Sequence, residues 1–95
     1  MHYLYILYSE KVNKYYIGET HNTEERLSKH NEHCYEVSFT RIANDWKVVL
    51  IYQCISRNQA CSLENFIKKM KSKIFIKKIV ANPEIVTEII SKNNF

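Results

Sequence analysis

The sequence predicts an α+β fold, one small three-stranded sheet with helices packed against it, in a single domain of 95 residues. Two aromatic and β-branched runs, Tyr3-Leu4-Tyr5-Ile6-Leu7-Tyr8 and Tyr15-Tyr16-Ile17-Gly18-Glu19-Thr20, stand a short polar segment apart, like the arms of a β-hairpin. A third run, residues 46–54, carries Val48, Val49, Leu50, Ile51 and Tyr52 and reads as another strand. From residue 57 onward the apolar residues recur at helical spacing instead.

The first strand is apolar on both sides, with Leu4 and Ile6 on one and Tyr3, Tyr5 and Leu7 on the other, so it is expected at the centre of the sheet. Opposed and diagonal residues of a hairpin share a face. Any even-numbered loop without a bulge therefore puts the phenols of Tyr5 and Tyr16 on one side. Gly18 is the only glycine, and it sits inside the second run rather than in the turn. There it costs packing and backbone entropy, which marks either an ordinary bulge or a backbone that something approaches closely.

After Thr20 the pattern changes. Asn22 is a good N-cap, Glu25 can reach back as in a capping box, and Glu24 and Glu25 complement the helix dipole, which predicts a helix over 23–33. Arg26 and His30, four apart, share one face of it, and Leu27 is the expected core contact. An arginine in the first turn is either a surface residue paired with Glu25 or His30, or a guanidinium aimed with the imidazole at a phosphate near the helix N-terminus. Residues 34–45 hold no period and read as a surface loop.

Ser56 with Gln59 repeats the capping-box signal and opens a helix over 57–71, with Ala60, Leu63, Ile67 and Met70 as its apolar stripe. Glu64 lies one step from that stripe, either paired with Lys68 at i+4 or turned to a divalent cation. A short helix over 74–80 follows. Pro83 then opens the last one, which carries Ile85, Val86, Ile89 and Ile90, and residues 91–95 are expected to fray.

The 45% hydrophobic content is that of a folded domain, and the longest apolar run, around 48–52, is far too short to cross a bilayer. With no secretion signal at the N-terminus, the expectation is a cytoplasmic protein that engages no membrane. Cys34, Cys54 and Cys61 form no CxxC pair and are expected to be reduced. His30, His33 and Cys34, with His21 upstream, match no regular zinc spacing. The formal net charge is +4, and Lys68, Lys69, Lys71, Lys73, Lys77 and Lys78 follow one another without an intervening acid. Such a run is either a solvated helix face or the footprint of a polyanion binder.

Taken in order, Tyr3-Leu4-Tyr5 on the first strand, Tyr16-Ile17-Gly18 on the second, Arg26 and His30 on the next helix and Ala60-x-x-x-Glu64 on a later one resemble the GIY-YIG nuclease superfamily. The likeness is to its small stand-alone bacterial members, akin to the N-terminal nuclease domain of the bacterial excinuclease. It covers residues 3–80, with 81–95 as a C-terminal helix and tail of the same domain. The resemblance implies a three-stranded antiparallel sheet flanked by helices and metal-dependent hydrolysis of a phosphodiester. By it, Glu64 binds one Mg²⁺ or Mn²⁺, Arg26 stabilises the phosphate, and Tyr5 and Tyr16 position or deprotonate the attacking water. His30 handles a proton or contacts phosphate.

These residue types suit the chemistry in their own right. Hydrolysis needs charge stabilisation on the nonbridging oxygens and an oriented nucleophile, which a guanidinium, a hard cation and two phenols supply. An ordinary phenol, with a pKa near ~10, is a poor base at neutral pH, so it needs a neighbouring cation or else only orients the water. Gly18 would leave room for the substrate backbone, and Lys68, Lys69, Lys71 and Lys73 would hold the nucleic acid. Tyr3 replaces the glycine of the first motif. Glu19 directly follows Tyr-Ile-Gly, where a carboxylate would either repel phosphate or assist the metal.

The leading expectation is an endonuclease acting on duplex or branched DNA with low sequence specificity, of a repair or recombination type. The alternatives are a nucleic-acid-binding domain of the same fold with little or no activity, and a protein-interaction module.

Overall fold

The computed structural model describes residues 2–22, 27 and 42–95. Three strands, β1 (His2–Ser9), β2 (Lys14–Thr20) and β3 (Lys47–Cys54), are followed by helices α1 (Arg57–Met70), α2 (Lys73–Ala81) and α3 (Glu84–Asn93). The strands form one antiparallel sheet in the order β2-β1-β3. The twice-apolar first strand is thus central, and Leu4, Tyr5, Ile6 and Leu7 are all buried.

Period-two alternation divides the core in two. Leu4, Ile6, Ile17, Leu50 and Cys54 face the three helices and meet Ala60, Leu63, Ile67, Ile79, Val86 and Ile89. Tyr5 and Leu7 face the other way, onto Ala43 and Trp46, with Val12, Tyr16, Leu27 and Val48 partly buried beside them. A bulge between Ile6 and Leu7 in the β1–β3 pairing makes Leu50 oppose Ile6 and Val48 oppose Leu7. Val49 is the extra residue, and it too packs on the helix-side core.

The hairpin connection, residues 10–13, ends on Asn13 in the left-handed region (φ 53°), which asparagine tolerates. It is tied down from a distance. Buried Ser9 donates its hydroxyl to Asp45 Oδ1 at 2.5 Å, and the Lys11 amide donates to Asp45 Oδ2 at 3.1 Å. These bonds hold the Asp45 carboxyl below the usual carboxylate range.

Ser56 caps α1 by accepting from the Gln59 amide at 3.1 Å, while Gln59 Oε1 reaches one residue beyond the expected partner, to the Ile55 amide at 3.0 Å. The tail corrects an expectation. α3 continues to Asn93, Asn94 closes it in the left-handed region, and Phe95 packs edge-on to Phe66 with ring centroids 6.0 Å apart. The Phe95 carbonyl accepts from Gln59 Nε2 at 3.4 Å, so burial of an aromatic ring at the last position holds the segment that polarity alone marked for fraying.

Candidate active site

Tyr5 opposes Gly18 and Leu7 opposes Tyr16, which makes Tyr5 and Tyr16 diagonal neighbours on the sheet face away from the helices. Their ring centroids are 6.2 Å apart with planes inclined at 40°. The even-numbered loop and unbroken register produce the shared face that the sequence required. Tyr5 is 1% exposed, while Tyr16, on the edge strand, is half-buried.

Gly18 is explained by Tyr5. A Cβ on Gly18 would lie 2.9 Å from Cε1 of Tyr5 and closer still to its Cζ and hydroxyl oxygen. The close approach is therefore made from within, by a ring lying across the glycine. Room that the sequence reading gave to substrate is filled by the first motif's own phenol.

Glu64 reaches this neighbourhood because α1 runs antiparallel along β2. At the helix start, Arg57 Nε stands 3.9 Å from Glu19 Oε1, near the end of β2. At the helix end, Lys68 and Lys71 line a groove with Lys14, Tyr15 and Tyr16, from the start of β2. Glu64, half-buried between them, accepts from Lys68 Nζ at 3.2 Å on Oε2, and that ammonium stands 5.5 Å from the centre of the Tyr16 ring. A carboxylate, an ammonium and a phenol thus follow one another around the open edge of β2, and Glu64 Oε1 accepts no bond from the described residues.

Glu19 does not belong to this set, which corrects the expectation attached to it. Being next to Gly18 in a strand, it opposes Leu4 and so points to the helix side of the sheet. There Oε2 lies 3.4 Å from His2 Nε2 and Oε1 faces Arg57, about two helical turns from Glu64. A carboxylate placed so neither confronts a phosphate at Tyr16 nor shares a cation with Glu64.

Arg26 and His30 lie outside the described residues, as do His33 and Cys34. Leu27, which stands between Arg26 and His30 in the chain, is helical and packs partly buried against the Tyr5 cluster, as expected of a core contact. His21 is exposed, its ring 6.3 Å from that of His2. Among the described residues no group of three or more His, Cys, Asp or Glu could hold a metal. Lys71 and Lys73 border the groove with Lys68, whereas Lys69, one residue around the helix, is exposed outside it. Cys54 is buried, and burial pushes its thiol up. Cys61 is half-buried, and both thiols are free.

The GIY-YIG catalytic domain model matches residues 1–79. The chain belongs to the GIY-YIG family. The match takes in the whole sheet, α1 and nearly all of α2, and leaves α3 outside it. The chain matches no curated protein and no solved structure. Membership places a GIY-YIG domain among nucleases in general, with nucleic acid as the class of substrate and a divalent metal as the family's typical aid. No helix among the described residues is long and apolar enough to cross a membrane. Two signals were missed from the sequence: Lys14, the lysine of the groove outside the 68–78 run, and Asp45, whose clamp on Ser9 was hidden in an aperiodic loop.

Proposed function

We propose that the protein is a metal-dependent endonuclease that hydrolyses phosphodiester bonds in DNA, with Tyr5, Tyr16, Arg26, His30 and Glu64 as its catalytic residues. The observation that carries this is the convergence on Tyr16, at the β2 edge, of the Tyr5 ring from β1 and the Glu64–Lys68 pair from α1.

The chemistry of the donor set fits a cation. Mg²⁺ and Mn²⁺ are hard ions, and Mg²⁺ keeps several waters, needing one or two carboxylates and substrate oxygens. Glu64, 21% exposed and with Oε1 unengaged by the described residues, offers one such carboxylate. When bound, the ion supplies positive charge to the phosphate and lowers the pKa of a bound water.

The chain's own residues do the rest. Tyr16, half-buried at the edge, positions or deprotonates the attacking water. Tyr5, immobilised in the core beneath it, holds the geometry and takes part in the same proton network. Lys68 neutralises charge beside Glu64 and Tyr16, Arg26 stabilises the nonbridging oxygens, and His30 handles a proton on the leaving side.

Labelled single-stranded, duplex and branched DNAs incubated with Mg²⁺, Mn²⁺ or EDTA test the reading. Metal-dependent cutting that disappears in both Arg26→Ala and Glu64→Ala supports it. No cutting of any substrate, with binding that survives both substitutions, overturns it in favour of a binding domain of the same fold. The engagement of Glu64 by Lys68, an ordinary i,i+4 ion pair, is the observation that favours that second reading.

A further inference from the structure

We infer that the groove along the open edge of β2 receives a single-stranded nucleic acid segment, so that a substrate must present an unpaired stretch beside the cleavage point; the inference rests on the proposed nuclease reading for its substrate class only. The groove, of about 610 Å³, lies where the start of β2 meets the end of α1 and the start of α2.

Two features select its occupant. Among the described residues the rim carries Lys14, Lys68, Lys71 and Lys73 and no acid, which is complementary to a polyanion. The floor is apolar, formed by the half-buried Ile76 and the Tyr15 and Tyr16 rings over the buried Ile17 and Ile67. A duplex shows phosphates and stacks its bases inside, so it can use the rim but not the floor. An unpaired strand can lay its phosphates on the lysines and its base faces on the floor, as single-strand grooves elsewhere combine charge with stacking surfaces.

The parts are held ready. Lys73 Nζ donates to the Asn13 carbonyl at 2.7 Å, pinning α2 to the hairpin turn, and Lys68 is steadied by Glu64. Lys71, held in the left-handed region (φ 48°) where α1 ends, has no side-chain partner among the described residues, and its ammonium is uncommitted to them. Tyr16 belongs both to this groove and to the face of Tyr5, so a strand lying in the groove delivers its phosphate to the Tyr16 phenol, with the Tyr5 ring behind it.

Binding in EDTA, where nothing is cut, separates this from the catalytic proposal. A fluorescent oligothymidylate and a blunt duplex of equal length are titrated with the full chain, with Lys71→Glu and with Ile76→Ser, each checked for folding by circular dichroism. The expected results are tighter binding of the single strand, a loss of about tenfold in Lys71→Glu, a shallower salt dependence by roughly 0.7 in the log–log slope, and weakening by Ile76→Ser on the single strand alone. Equal affinity for strand and duplex, or single-strand binding unchanged in folded Lys71→Glu, overturns the inference while leaving metal-dependent cleavage to stand or fall separately.

Discussion

Replacing Gly18 by alanine tests the packing on which the candidate site depends. The added methyl would coincide with the end of the Tyr5 ring, meeting Cε1 at 2.9 Å and Cζ and the hydroxyl oxygen more closely. The ring cannot swing into solvent, because Tyr5 is 1% exposed and packed with Leu7, Ala43 and Trp46. Expelling a buried tyrosine outright would forfeit roughly 150–250 Å² of burial, about 4–6 kcal/mol, which sets the upper limit. Local adjustment of an overpacked core costs about 1–3 kcal/mol, so a loss of about 2–3 kcal/mol is expected, or a fall in Tm on the order of 10–20 °C for a domain of this size. Urea unfolding of Gly18→Ala, Tyr5→Phe and the double variant gives the coupling between the two positions. Removing the hydroxyl, one of the closest contacts, should return part of the loss, so that the double variant is more stable than the sum of the single effects predicts. A Gly18→Ala protein within about 0.5 kcal/mol of wild type, or strictly additive effects, would refute the reasoning.

Other consequences follow from the same geometry. Because Ser9 and the Lys11 amide hold Asp45 below the usual carboxylate range, its contribution to stability is present above that range and lost as pH falls through the lowered folded value; unfolding curves of wild type and Asp45→Asn should therefore converge in acid and separate towards neutrality. Glu19→Ser should lower stability modestly through loss of the His2 and Arg57 contacts, while metal dependence of cleavage stays as in wild type; a changed metal requirement would place Glu19 in the site after all. Phe95→Ala removes the edge contact with Phe66 and should cost about 1–2 kcal/mol in urea unfolding, whereas an unchanged midpoint would return the tail to the frayed state. The buried Cys54 thiol, raised by desolvation, should resist alkylation near neutral pH until the chain unfolds, while half-buried Cys61 reacts before it, as peptide mapping after timed labelling can read.

What was legible in the sequence was whatever period and capping encode. Apolarity on both faces of β1 put that strand at the centre, the period of two with an even-numbered loop gave Tyr5 and Tyr16 a shared face, and the Ser56 and Pro83 signals set the helix starts to within a residue or so. The illegible parts depend on distance across the fold. Nothing near Gly18 in the chain says that the atom it must accommodate belongs to Tyr5, because the pairing is across strands. The concern over Glu19 came from its place in the motif and neglected its parity: a residue directly following Gly18 must take the other face. Lys14 and Phe95 carry little local pattern, and their placement depends on where α1, α2 and α3 come to rest.

The arrangement also links the stability of this fold to its chemistry. Tyr5 is at once a residue of the family's motif set and one of the most buried side chains, so it cannot be moved toward a substrate without opening the second core cluster. Among the described residues, mobility at the candidate site must then reside in Tyr16 and in the side chains that α1 sends around the β2 edge, where Lys68 bridges Glu64 and the Tyr16 ring. Under the proposed function, an anionic phosphate entering there would compete with Glu64 for the same ammonium, and a cation would compete with Lys68 for the same carboxylate. Substrate and cation together can replace one ion pair with two new charge contacts, whereas either alone leaves a charge less well compensated. Binding of the two should therefore be mutually reinforcing, through the reciprocity that any linked pair of ligands obeys.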